Sequence, residues 1–106
     1  MRTYEAVFIL NDRKVEGGPE SFADIVARDV EELGGAIRDK EMLGRKQFAR
    51  PIGRHRAGTY WDFIVHMQPD QVDVLRERYR LSNQVLRLEI FQYEAPPPSR
   101  SESTER

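Results

Sequence analysis

The order in which two hydrophobic periodicities alternate along the chain most constrains its fold. Short runs rich in apolar, aromatic and β-branched residues predict strands at 4–10, 59–67 and 85–93. A loosely alternating stretch without proline predicts a further, long strand at 36–50. Apolar residues at helical spacing after Pro19 and after Pro69 predict two helices. Strand, helix, strand, strand, helix, strand is the split βαβ order. The sequence therefore predicts an α+β, ferredoxin-like βαββαβ sandwich, with a four-stranded antiparallel sheet and two helices on one face.

Glycine and proline mark the boundaries of these elements. The pair at 34–35 ends the first helix, and Pro51, Gly53 and Gly58 predict the bend of a hairpin between the second and third strands. We expect one domain over residues 1–94. The proline- and serine-rich segment 95–106 lacks apolar residues for burial and predicts a disordered tail.

Composition excludes several classes of protein. The 106-residue chain has no cysteine, which rules out disulfides, thiolate metal sites and cysteine nucleophiles. No apolar run approaches the roughly 18 residues of a membrane span, and nothing resembles a signal peptide. We therefore expect a cytoplasmic protein without a membrane partner.

Alternation within the strands predicts two unlike faces of the sheet. One parity should face the helices: Ala6, Phe8, Leu10, Trp61, Phe63, Val65, Met67, Leu88 and Ile90. The other parity should bring apolar residues to the uncovered face, beside Asp62 and His66: Val7, Ile9, Tyr60, Ile64 and Phe91. Several exposed apolar side chains together predict a protein partner or self-association. Alternatively, a long polar neighbour such as Arg87 covers the patch.

Candidates for catalysis are few. His55 lies among cations, which disfavours metal binding, and His66 and Asp62 lie about 13 Å apart if both are on one strand. The sequence contains no glycine-rich phosphate loop, serine elbow or clustered carboxylate pair. We predict no enzyme activity, no catalytic residues, no metal and no cofactor.

Charge is unevenly distributed. The segment 42–61 has no acidic residue although the formal net charge is only −1, and further arginines lie at 76, 78, 80 and 87. Such polarity indicates an anionic partner, although a solvated hairpin is the simpler alternative. Arg76 and Arg78 are better explained as charges near a helix C-terminus. The predicted RNA-binding residues are Arg2, Tyr4, Arg45, Lys46, Arg54, Arg56, Arg80 and Arg87.

Three segments resemble the bacterial small-subunit ribosomal protein six family. They are residues 1–5 (MRTYE), residues 44–52 (GRKQFARPI) with Gly58-Thr59-Tyr60 after them, and residues 80–87 (RLSNQVLR). The resemblance implies a structural component of the small ribosomal subunit, without catalytic activity or a small-molecule substrate. It also implies binding to the central domain of 16S rRNA as a heterodimer with ribosomal protein eighteen. Arg2, Tyr4, Arg80 and Arg87 would then face RNA.

The chain departs from the family pattern at a few positions. Arg50 stands where the family usually has tyrosine, and Ser82, Leu86 and Gln92 occupy places that are basic in some relatives.

Two other classes share this topology. An RNA-recognition motif would need its aromatic signature on the third strand, which residues 58–61 do not match, and a dimeric ferredoxin-like enzyme would need polar groups at inward positions.

Overall fold

The structure, a computed structural model, describes residues 1–93, so the predicted tail at 95–106 lies outside the described residues. Its elements are β1 (Arg2–Leu10), α1 (Phe22–Glu32), β2 (Ala36–Ile52), β3 (His55–Met67), α2 (Pro69–Arg80) and β4 (Val85–Gln92). Short 3₁₀ turns at Asp12–Lys14 and Pro19–Ser21 connect β1 to α1. Pro19 therefore opens a 3₁₀ turn, and the α-helix itself begins at Phe22.

The four strands form one antiparallel sheet in the order β2-β3-β1-β4. The first and third strands, β1 and β3, are therefore central. Phe8 lies opposite Trp61 on one side and Leu88 on the other, which aligns residues of the same parity across the sheet. Element order and strand order together confirm the ferredoxin-like fold.

Aromatic rings fill the space between the sheet and the helices. Phe8 makes edge-to-face contacts with Phe22, Phe63 and Tyr79, at centroid distances of 5.1, 5.5 and 5.1 Å. Each such pair contributes about 0.5–1.5 kcal/mol beyond the area that it buries. The inward positions predicted on β1 and β3 are all buried, while Leu88 and Ile90 on the edge strand β4 are half-buried against the same core.

Polar contacts join the two helices. The Tyr79 hydroxyl donates a hydrogen bond to Asp29, and Arg78 donates to Asp29 at 3.0 Å and to Glu32 at 2.8 Å. Burial, together with the bond to Asp29, raises the pKa of Tyr79 far above its usual range, so the phenol stays a neutral donor. These contacts set the position of α2, and hence of the turn that follows it.

The hairpin between β2 and β3 is tighter than predicted, because Pro51 is still part of β2 and not of the bend. Its turn lies at Gly53 and Arg54, where Gly53 adopts φ +60°, and β3 already begins at His55. Gly58 is therefore inside β3, and its prediction as a bend residue is wrong. A Cβ at Gly58 would lie 2.5 Å from the carbonyl oxygen of Leu10, so glycine here allows close approach of β1 rather than a turn.

Candidate nucleic-acid interface and open sheet face

Three connections of the sheet meet at one end of the molecule, which we call the hairpin end: β1–α1, β2–β3 and α2–β4. Leu10, the last residue of β1, lies opposite Thr59 near the start of β3 and opposite Val85 at the start of β4. The Asn11 amide donates to the carbonyl of Gln84 at 2.9 Å and holds the α2–β4 turn beside the β1–α1 connection. The basic hairpin and the arginines around the α2–β4 turn therefore lie at the same end.

Cations of the hairpin are directed to both sides of the sheet. Lys46 lies opposite Gly58 and places its ammonium 5.6 Å from the ring centroid of Tyr60, on the face without helices. Arg45 has the other parity, and its Nε donates to a carboxylate oxygen of Asp12 at 3.3 Å. Arg54 lies in the turn and Arg56 near the start of β3, both exposed. The predicted hairpin set is thus brought together and accessible.

The second predicted set flanks the α2–β4 turn, as expected. Arg80 and Arg87 line a groove of about 310 Å³ along the outer edge of β4. Arg80 is already paired with Glu77 at 2.7 Å, whereas Arg87 has no ion-pair partner within residues 1–93. Arg87 is therefore the more available of the two for an anionic ligand.

The remaining arginines of α2 are engaged within the protein. Arg76 pairs with Asp73 at 2.8 Å, and Arg78 bridges to α1 as described above. This agrees with their interpretation as helix charges and not as ligands for RNA.

Arg2 and Tyr4 lie elsewhere. Arg2 lies at the start of β1, opposite Met67 of β3. Ile9, which lies opposite Arg87 of β4, is seven residues further along β1. Seven strand residues span about 24 Å, so Arg2 does not share one small patch with Arg87, and its contact with RNA stays a prediction. Tyr4 also has inward parity and packs against the core, which leaves its ring only partly exposed for stacking.

The predicted partner residues share the uncovered face of the sheet, which we call the open face. Val7 lies opposite Asp62, Ile9 opposite Tyr60, and Glu5 lies between Ile64 and Phe91. Phe91 is 50% exposed, and Val7, Tyr60 and Ile64 are half-buried. Ile9 is the exception.

Ile9 lies on the open face but is only 7% exposed. The rings of Phe48 and Tyr60 contact each other at 6.3 Å above this part of the face, and a Cβ at Gly58 would touch both Ile9 and Phe48 at 3.2 Å. The prediction that Ile9 is an accessible contact is therefore wrong, because Phe48 from the long β2 strand reaches over it. Alternation along β2 alone could not show this, since β2 changes register twice before Phe48.

Carboxylates occupy the centre of the open face. Of these, only Asp62 was assigned to this face from the sequence. Glu5 is its diagonal neighbour on β1, and Asp39 and Glu41 approach from β2. Partial burial, followed by the hydrogen bond and charge of Glu5 and the charges of Glu41 and Asp39, raises the pKa of Asp62 to about 6. One Asp62 oxygen is shielded from solvent and has no hydrogen-bond partner in the described part of the chain. The open face therefore carries an acidic centre, which we call the carboxylate cluster, among apolar side chains.

Within residues 1–93, no group of three or more potential ligands comes together to hold a metal ion, and no helix has the length and apolarity needed to cross a membrane. His66 accepts or donates a hydrogen bond with the Thr3 hydroxyl at 3.2 Å.

The fold and these two surfaces define a class of protein: a ferredoxin-like domain that presents an open sheet face beside a cationic end. The crystal structure of 30S ribosomal protein S6 from Thermotoga maritima has the same fold, with a TM-score of 0.67 and 23% identity over 87% of each chain.

Sequence comparison gives the family. The model of the family described as "Ribosomal protein S6" matches residues 3–92, and the chain belongs to this family. Small ribosomal subunit protein bS6 of Synechococcus sp. (strain RCC307) is 35% identical over 101 residues, covering 95% of this chain and 75% of that protein. The protein of the same description from Akkermansia muciniphila is 33% identical over 85 residues, covering 80% and 90%.

Membership of this family makes the chain a structural constituent of the small ribosomal subunit and not an enzyme, located in the ribosome in the cytoplasm. The predicted family, the absence of enzyme activity and the location are thereby confirmed.

Proposed function

We propose that the chain binds the central domain of 16S rRNA through the hairpin end and binds ribosomal protein eighteen through the open face, as a heterodimer. The observation that carries the proposal is the convergence of two sequence-distant basic segments on one end of a protein with a net charge of −1. Phosphate groups are the anions that guanidinium and ammonium side chains bind in RNA, and they do not require a concave pocket.

Four cations of the hairpin end are exposed and suited to phosphate contact: Arg87, Lys46, Arg54 and Arg56. Arg45 adds a fifth if it breaks its ion pair with Asp12 and binds a phosphate instead. To contact phosphate, Arg80 would have to break its ion pair with Glu77. Arg2 lies too far away to share their phosphates, so in this proposal it contacts a different part of the RNA at the other end of β1.

Charge complementarity supports a basic polypeptide on the open face. Phe91, Ile64 and Val7 supply apolar contact area, and the carboxylate cluster lies among them. A lysine or arginine from the partner would neutralise this cluster and supply the donor that the shielded Asp62 oxygen lacks. An RNA backbone placed on the same face would instead meet like charge.

Reconstitution tests both surfaces. The purified chain, ribosomal protein eighteen and a fragment containing the central domain of 16S rRNA are mixed at several salt concentrations, and the affinity for RNA is measured. We expect binding that requires both proteins, with a slope of log affinity against log salt of roughly −3 to −4 for four to six phosphate contacts. A slope near zero would contradict the role given to the cations.

A pair of variants tests the open face. Ile64→Lys places a cation among the apolar contacts of the open face, and we expect it to abolish heterodimer formation in size-exclusion chromatography. Val74→Lys is the matched control, because Val74 is 42% exposed on α2, away from the open face. Equal heterodimer formation by both variants would place the partner elsewhere.

A further inference from the structure

A cleft opens at the hairpin end between the 3₁₀ turn after β1 and the β2–β3 hairpin. Its volume is about 650 Å³, within the range of ligand-sized clefts. Five basic side chains line it, two from the turn and three from the hairpin: Arg13, Lys14, Arg45, Arg54 and Arg56. Asp12 is the one carboxylate of the lining, which leaves a formal surplus of four positive charges, five less one.

The wall formed by the turn is held from several directions. The Lys14 amide donates to the carbonyl of Asn11 at 2.9 Å, and Asn11 is itself bonded to Gln84. Val15 directly after the turn is 5% exposed and packs into the core, and the indole of Trp61 donates to the carbonyl of Pro19 at 2.8 Å. Arg13 and Lys14 are therefore exposed side chains on an anchored backbone.

The opposite wall is tied to the first by the ion pair between Arg45 and Asp12. This is the only ion pair that any lining residue makes within residues 1–93. Four cations thus face one cleft from two sides without an anionic partner in the described part of the chain: Arg13, Lys14, Arg54 and Arg56. Like charges held this close repel one another unless an anion enters between them.

We propose that this cleft binds the sugar–phosphate backbone of one rRNA segment between its two walls. The inference rests on the proposed function and extends it to two residues, Arg13 and Lys14, that neither the charge pattern nor the family resemblance assigns. A continuous polyanion fits better than a small anion, because the cleft is open and its cations are spread over two chain segments.

The cleft makes the RNA contact two-sided. Lys46 and Arg87 have the parity of the open face, whereas Arg45 and the turn lie on the helix side. RNA in the cleft would therefore be a segment different from the one at Arg87, and the hairpin would lie between the two.

Footprinting of reconstituted complexes tests the proposal. Hydroxyl-radical protection of the central-domain RNA is recorded for the full chain with ribosomal protein eighteen, for Arg13→Ala/Lys14→Ala and for Arg54→Ala/Arg56→Ala. Because the two pairs form opposite walls of one cleft, we expect both double variants to lose protection of the same nucleotides. Those nucleotides should stay protected in Arg87→Ala. The salt slope of either double variant should be less negative by about 1.4 to 1.8.

Arg28→Ala/Lys40→Ala is the matched control, since it removes one exposed arginine and one exposed lysine outside the cleft lining. We expect its footprint and slope to equal those of the unchanged chain. An unchanged footprint and slope for Arg13→Ala/Lys14→Ala would overturn the cleft proposal while leaving the proposed function intact. Failure of the unchanged chain to protect any nucleotide would instead overturn the proposed function. Titration with adenosine monophosphate and with inorganic phosphate tests whether the cleft instead binds a small phosphate-containing molecule. Saturable binding of either one in the cleft, together with an unchanged RNA footprint, would also overturn the proposal.

Discussion

The two faces of the sheet are formed by the same strands but differ in chemistry. On the helix side, inward residues of β1 and β3 are buried and closed by the aromatic cluster around Phe8. On the open face, apolar residues alternate with carboxylates, and one of these, Asp62, has a raised pKa. The first face therefore determines stability, and the second is the face that we propose binds a partner.

Phe63→Ala should have the largest effect. Phe63 is fully buried between Phe8 and Trp61, so its removal leaves a cavity and should lower the free energy of unfolding by about 3–5 kcal/mol. Phe91→Ala makes the same chemical change on the open face and should cost about 1 kcal/mol or less. Urea denaturation of both variants measures the two losses. Equal losses would contradict the division between the faces.

Gly58→Ala should cost about 2–3 kcal/mol, because the added methyl group meets the backbone oxygen of Leu10, which no side-chain rotation can relieve. Gly44→Ala serves as the comparison. It meets no atom within 4 Å but forces alanine into φ +97°, and should cost about 1 kcal/mol. Thermal unfolding of both variants distinguishes a steric requirement for glycine from a conformational one.

Arg87→Ala should separate assembly from stability. Arg87 is exposed and makes no ion pair within residues 1–93, so the free energy of unfolding should change by less than about 0.5 kcal/mol. The affinity of the reconstituted heterodimer for RNA should fall, and the salt slope should become less negative by about 1. Arg28→Ala, which removes an exposed arginine of α1 outside the groove that Arg87 lines, is the control and should leave RNA affinity unchanged.

Asp62→Asn should change stability by an amount that depends on pH. The pKa of Asp62 is raised from 3.8 to about 6 in the folded chain. A raised carboxyl pKa means that the folded state binds the proton more tightly. The stabilisation is therefore complete below pH 4 and is lost as the pH rises through 6. Unfolding measured at pH 5 and pH 7 should show the unchanged chain losing more stability than Asp62→Asn over this interval. Identical pH profiles would contradict the carboxylate cluster.

Local sequence was sufficient for the fold and for the faces. Alternation placed Ala6, Phe8 and Phe63 inward and Val7 and Ile64 outward, because the side-chain period of a strand is two regardless of its neighbours. The hairpin cations were also recognisable, since a run of basic residues next to a turn must be solvated. The family followed from three short motifs, and the comparisons confirm it.

Contacts between distant segments could not be predicted in this way. The distance from Arg2 to Arg87 depends on how β1 and β4 align, and the cover over Ile9 depends on two register shifts in β2. The ion pair between Asp12 and Arg45 joins residues 33 positions apart.

The sequence by itself thus determined which elements form and which side of each strand is apolar, because both follow from spacing along the chain. Tertiary structure decided which charges meet: five cations around one cleft and a carboxylate cluster on the open face. These groupings arise from strand register and from the placement of loops across the sheet, and neither is encoded in any single segment.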